Sequence, residues 1–172
     1  MVLNFKETKL KTLYTFSSGL NKGKKFFGYG YPFLSYKTIF NNYYLPNRLN
    51  ELVDATEKER NKCSIKRGDV FLTRTSETVD EIGISSVALK TYPNATFNGF
   101  AKRLRPITDD ILPEYAAYYF RSRYFRTKAS SLCTLITRAS LNNDDLSYLT
   151  ILYPEFAVQK KIASLLLSYD KL

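Results

Sequence analysis

Up to about residue 104 the chain breaks into short apolar runs of strand length, punctuated by Gly, Pro and Asn. Leu13-Tyr14-Thr15-Phe16 predicts a first strand or a short entry into one. Tyr31 to Tyr36 predicts another, with Pro32 near its start and a polar exit at Lys37-Thr38. Val70 to Thr73 and Ile84 to Leu89 predict two more, and Ala95 to Leu104 a further one with a bulge at Asn98-Gly99. Between Asn50 and Asn61 only Leu52, Val53 and Ala55 are apolar, which predicts a short exposed helix or an ordered loop. Beyond residue 110 the pattern turns helical. Asp110 and Pro113 mark a helix start, and Glu114 to Ser122 carries Ala116, Tyr119 and Phe120 on one face. A second helical piece spans Tyr124 to Ser131, Asn143-Asp144-Asp145 caps a single turn, and a last strand at Leu149 to Leu152 is stopped by Pro154. The expected fold is α/β of the α+β kind: a mixed, mostly antiparallel twisted β-sheet domain with peripheral helices.

The chain closes on a different pattern. Val158, Ile162, Leu165, Tyr169 and Leu172 recur at alternating spacings of four and three, the seam of a coiled coil. The seam is too short to be stable by itself. It divides the chain into a domain over residues 1–154 and, over 155–172, the start of a long helix that dimerises or acts as a spacer.

At the centre lies Ile65 to Ile84, IKRGDVFLTRTSETVDEIGI. Gly68 can take the positive φ of a tight turn, Val70 to Thr73 forms a rigid strand, and Arg74-Thr75-Ser76-Glu77-Thr78 forms a hydroxyl-rich loop that Gly83 closes. A strand that presents polar side chains at its end is a common setting for recognition.

The net charge of +10 over 172 residues favours a polyanionic partner, nucleic acid ahead of a membrane surface. Ser17 to Gly30 concentrates that charge: Lys22, Lys24 and Lys25 interleave with Phe26, Phe27 and Tyr29, and no acid intervenes. Such a loop suits a phosphate backbone. It is not a phosphate-binding loop of the nucleotide type, because Gly19 and Gly23 are one residue too close and Lys25 stands where Ser or Thr is required. Arg121, Arg123, Arg126 and Lys128 add a second basic region, read mainly as a solvated helix face.

With no histidine, and with Cys63 and Cys133 far apart, the residues exclude a zinc site and histidine-based nucleophilic catalysis. The acids do not assemble into a recognisable catalytic set. No apolar leader or membrane-spanning run is present, so a cytoplasmic location is expected. A binding module is the simplest reading. The alternatives are a carboxylate-dependent nuclease or nucleotide-modifying domain, and a protein-interaction module that works through the C-terminal helix.

Several segments together resemble one family. Ile65-x-x-Gly68-Asp69-Val70-Phe71-Leu72-Thr73-Arg74-Thr75-Ser76-Glu77-Thr78 with Glu81-Ile82-Gly83 is similar to the target recognition domain of type I restriction–modification specificity subunits. So are Tyr31-Pro32-Phe33-Leu34-Ser35-Tyr36 and Leu112-Pro113-Glu114-Tyr115 leading to Tyr124-Phe125-Arg126. Leu149 to Pro154 followed by Gln159-Lys160-Lys161-Ile162-Ala163 resembles the family's signature where the domain passes into a long helix. The resemblance implies that the domain reads one half of a bipartite double-stranded DNA target and performs no chemistry. Methylation with S-adenosylmethionine would belong to modification subunits, ATP- and Mg-dependent translocation and cleavage to a restriction subunit, and no cofactor or metal to this chain. A second recognition domain or half-subunit would pair through the C-terminal helix.

On that reading the base-reading candidates are Arg74, Thr75, Ser76 and Thr78, together with Tyr36, Lys37 and Thr38 after the earlier strand, and more weakly Asn98 and Arg138. Lys22, Lys24 and Lys25 would position phosphates. A motif shared widely enough to mark a family discriminates poorly between targets. The central stretch therefore reads mainly as a scaffold, with Arg74 the residue that reaches DNA.

Overall fold

The computed structural model describes residues 4–76, 78–132, 134–135 and 139–169. In chain order the elements are β1 (Phe5–Lys9), β2 (Tyr14–Ser18), β3 (Phe27–Leu34), α1 (Tyr36–Asn41), β4 (Glu51–Val53), α2 (Glu57–Lys62), β5 (Val70–Thr73), β6 (Thr75–Ser76) and β7 (Ser85–Val87). They continue with β8 (Thr96–Phe97), β9 (Ala101–Pro106), α3 (Pro113–Tyr119), α4 (Arg123–Ser131), β10 (Thr134–Leu135), β11 (Ala139–Ser140), α5 (Asn143–Tyr148), β12 (Thr150–Pro154) and α6 (Phe156–Tyr169).

A four-stranded antiparallel sheet, β2-β9-β5-β7, forms the centre. Every residue of β5 is buried, and successive side chains enter opposite layers, as the pleat requires. Val70 and Leu72 join Tyr14, Leu104, Phe120, Phe125 and Leu146 on the side of α3, α4 and α5. Phe71 joins Phe33, Leu34, Ile39, Val53 and Phe97 on the other. That second layer is backed by the sheet β4-β3-β8, in which β3 and β8 run parallel. Aromatic edges finish both layers: Phe120 meets Phe125 with centroids 4.7 Å apart, and Phe71 meets Phe97 at 5.1 Å. The mixed, mostly antiparallel fold with helices packed around it is as expected.

The entry to β5 is locked from the side. Asp69 is fully buried, and the Arg105 guanidinium forks onto it, Nε to Oδ1 at 2.8 Å and Nη2 to Oδ2 at 2.7 Å. The same carboxylate accepts from the Lys66 backbone N–H at 2.7 Å, and Arg105 Nη2 also donates to the Ser64 carbonyl at 2.9 Å. Gly68 completes this turn at φ +88°.

Three local expectations are corrected. The strand ending at Tyr36 stops at Leu34, because the Ser35 hydroxyl caps the Thr38 N–H and opens α1. Tyr36, Lys37 and Thr38 are therefore the first turn of a helix rather than a loop. The 50–61 segment holds a strand, β4, and then α2, whose Thr56–Glu59 capping box satisfies its first turn. The single strand with a bulge at Asn98-Gly99 is two strands in two different sheets, β8 and β9, and the expected bulge is the crossing between them. At Gly99 a Cβ would meet the Asn21 side chain, which would have to turn aside.

The first turns of α6 belong to the domain. Gln159 is fully buried; its Oε1 accepts from Leu112 N at 2.8 Å, and its Nε2 donates to the carbonyls of Asp110 at 2.8 Å and Pro154 at 3.0 Å. Val158 and Ala163 are buried beside it, and Ile162 packs against the first layer. Leu165 and Tyr169, further along the seam, are 59% and 65% exposed, and Leu172 lies outside the described residues. No described helix is long and apolar enough to cross a membrane.

Two outcomes follow from this packing. Gln159→Leu strands three backbone groups in a buried joint and should lower the unfolding free energy by about 3 kcal/mol, measured by urea denaturation. Tyr14, Tyr115 and Tyr119 lie in or against the first layer, and burial pushes their phenols up, Tyr115 to about 12. Unfolded tyrosines ionise near pH ~10, so the native chain keeps protons that the unfolded chain releases. Their contribution is complete below about pH 10 and is lost as pH rises through the folded values. The urea midpoint should fall steeply above about pH 10, with tyrosinate absorbance from these rings rising together with unfolding.

Candidate nucleic-acid interface

One rim of the central sheet collects most of the polar groups that the chain pattern singles out. Ser18 at the end of β2 faces Lys102 at the start of β9, and Thr73 at the end of β5 faces Ala101. Arg74 continues from β5, its backbone N–H donating to the Phe100 carbonyl at 3.1 Å and its carbonyl accepting from Leu141 N at 2.9 Å. The end of β3 joins the same rim, because Asn98 N donates to the Leu34 carbonyl at 3.0 Å. The start of α1 therefore stands next to the loop after β5. Tyr36 lies close enough to Ser76, Thr73 and Glu81 for their polar groups to act on its phenol, which burial pushes up.

The loop after β5 is more ordered than its polar composition suggests. Thr75 and Ser76 form β6, which pairs with β11, which in turn pairs with β10. Two hydroxyls staple it from within. Thr73 Oγ1 donates to the Glu81 carbonyl at 2.5 Å and accepts from Ile84 N at 2.9 Å, while the buried Ser76 hydroxyl donates to the Glu81 carboxylate. Ser76 faces inward, Arg74 and Thr75 are half-buried, and Thr78 is exposed. Lys37 is exposed on α1, whereas Thr38 takes part in the cap with Ser35. Asn98 Oδ1 accepts from Phe100 N at 2.7 Å and shapes the turn that leaves the Phe100 ring 52% exposed. Arg138 lies outside the described residues.

The basic loop is placed elsewhere, and its three lysines differ. Lys22 donates to the Asp54 carbonyl at 2.6 Å and pairs with Glu59 at 2.8 Å, its side chain only 12% exposed. Its ammonium ties the loop to α2 instead of standing free for a phosphate. Lys24 and Lys25 are exposed on a short 3₁₀ turn beside β4, with Lys25 Nζ 5.1 Å from the Phe26 ring centroid. The second basic region is not uniformly solvated either. Arg121 gives Nε to the Ser85 carbonyl at 2.6 Å and Nη2 to the carbonyls of Ile39, Phe40 and Asn42 at 2.8–2.9 Å, closing the C-terminus of α1.

Lys102, Ser18, Asn143 and Phe100 join the rim without having been singled out. Lys102 Nζ donates to Ser18 Oγ at 2.9 Å and to Asn143 Oδ1 at 2.6 Å, and Arg74 Nη1 donates to the same Ser18 oxygen at 3.2 Å. Burial, and next the Arg74 charge, lower the Lys102 pKa. The signal was present: within Ala101–Pro106, Lys102 sits two residues from Leu104 and so shares its inward face, an unusual register for a lysine.

The family model for the type I restriction modification DNA specificity domain matches residues 4–172. The chain belongs to this family. Among solved structures, the specificity domain resembles a type I restriction–modification system S subunit from M. genitalium, with 14% identity over 98% of this chain and a TM-score of 0.68. It also resembles the HsdS subunit from Thermoanaerobacter tengcongensis, with 18% identity over 97% and a TM-score of 0.65. A chain from a structure described as explaining complex assembly and conformational transition of the type I R-M system matches at 19% identity over 97%, with a TM-score of 0.69. These likenesses concern the fold. The domain spans 37–40% of those chains. No curated protein matches the sequence.

The placement separates structural lysines from surface ones. Lys22→Ala should cost about 1 kcal/mol of stability while leaving the salt dependence of DNA binding unchanged. Lys37→Ala should leave stability unchanged and weaken binding. Paired urea melts and binding titrations check both.

Proposed function

We propose that this specificity domain reads one half of a bipartite duplex target and confers that sequence on a type I restriction–modification complex. The observation that carries the proposal is the rim itself. Within a family of DNA specificity domains, strand ends and helix starts from both sheets bring hydroxyls, amides and cations to one edge on a rigid frame. Thr75, Thr78 and Lys37 supply the hydrogen-bonding variety that base edges require, and Lys24 and Lys25 supply charge for phosphates; the Tyr36 hydroxyl is turned inward.

Modification and restriction subunits are the expected partners. S-adenosylmethionine, ATP and Mg chemistry is assigned to them, and none of it to this chain. Four of the carboxylates are paired with cations: Asp69 with Arg105, Glu59 with Lys22, Glu114 with Arg67 and Asp110 with Lys6. The exposed Leu165 and Tyr169 on α6 suit a second helix, from another recognition domain or half-subunit.

The test is to map methylated adenines in DNA from cells that carry the intact system, then to repeat the map with this domain exchanged for another of its family. One half of the modified sequence should change while the other half stays. A map that is unaltered by the exchange refutes the assignment.

A further inference from the structure

We infer that Arg74, Ser18, Lys102 and Asn143 form a fixed seat for one backbone phosphate of bound DNA, so that Arg74 anchors the duplex instead of reading a base. The inference rests on the DNA-binding reading and names a contact within it.

The four groups form a cluster with donors to spare. Lys102 is 5% exposed, and its ammonium is held by Ser18 Oγ and Asn143 Oδ1. Ser18 Oγ accepts from both Lys102 and Arg74, which leaves its own O–H to donate outward. Asn143 uses its oxygen on Lys102, which leaves its amide N–H groups to donate. Arg74 Nε is buried and has no hydrogen-bond partner among the described residues. Two cations therefore converge on one hydroxyl, and among the described residues no carboxylate pairs with either.

Such an arrangement fits an acceptor-only anion. A charge as deeply buried as that of Lys102 is costly until it is paired. A phosphodiester carries one negative charge and two non-bridging oxygens, enough to accept from Arg74, Ser18 and Asn143 together. A guanine edge also presents two acceptors, but it brings no charge. Arg74 is moreover poorly placed to extend into a groove, because its backbone is held on both sides, to Phe100 and Leu141, and its guanidinium is held by Ser18.

The experiment measures binding of the chain to a duplex containing the mapped target and to a scrambled duplex, over a range of salt, for the parent, Lys102→Met, Arg74→Gln and Ser18→Ala. Each variant should weaken both duplexes by the same factor, roughly tenfold. The slope of log K against log[salt] should become shallower by about 1 for Lys102→Met and Arg74→Gln. Lys102→Met removes a buried charge and keeps the stem, so its thermal midpoint should not fall; Ser18→Ala probes the same seat with minimal disturbance. Inorganic phosphate should compete with the duplex for the parent and not for Lys102→Met. A change of base preference in Arg74→Gln, unchanged affinity in the variants, or phosphate binding that does not compete would each overturn the seat while leaving DNA recognition intact. A parent that binds neither duplex at any salt would overturn both.

Discussion

The buried Asp69–Arg105 fork is the constraint on which the arrangement of the rim depends. It fixes the turn that launches β5, the strand with both apolar layers on its faces. Removing one partner would leave the other charge buried and alone, at a cost of about 3–5 kcal/mol. The consequence is positional as much as energetic. With its start locked to β9 and its middle fully packed, β5 delivers Arg74 and β6 to one defined place, next to the crossing between β8 and β9.

Charge in this protein is not a count of DNA contacts. Arg105, Arg121 and Lys22 spend their donors on backbone carbonyls and buried acids, holding turns and helix ends together. The cations left over differ in kind. Lys24, Lys25 and Lys37 are exposed, while Arg74 and Lys102 are held by Ser18 and, among the described residues, form no ion pair. Hydroxyls divide in the same way. Thr73 and Ser76 tie the loop down from inside, and Thr75 and Thr78 remain toward the surface.

The helix α6 begins inside the domain's own packing. Gln159 fastens its beginning by answering three backbone groups at once, so the helix leaves the domain at a set angle. A few turns later its apolar side chains have no cover of their own.

Much of this was written in the chain order. The period-two runs marked β2, β5 and β12, the caps marked α3 and α5, and the central and C-terminal motifs pointed to the family. Those signals are local, set by which residues share a face and which can turn or cap. Other features depend on partners distant in sequence, and no local pattern carries them. Ser35 as a helix cap ended β3 two residues early, and the Asn98-Gly99 bulge became a passage between sheets because β8 pairs with β3 while β9 pairs with β2 and β5. Lys22 found Glu59, and Lys102 found Ser18 and Arg74, across 37, 84 and 28 positions respectively, as the numbering shows. The sequence by itself determined the class of fold, the family and the character of the surface. Only the tertiary structure decided which cations are consumed in holding it together and which stay at the surface, because that depends on where carbonyls and carboxylates come to lie once the strands are paired.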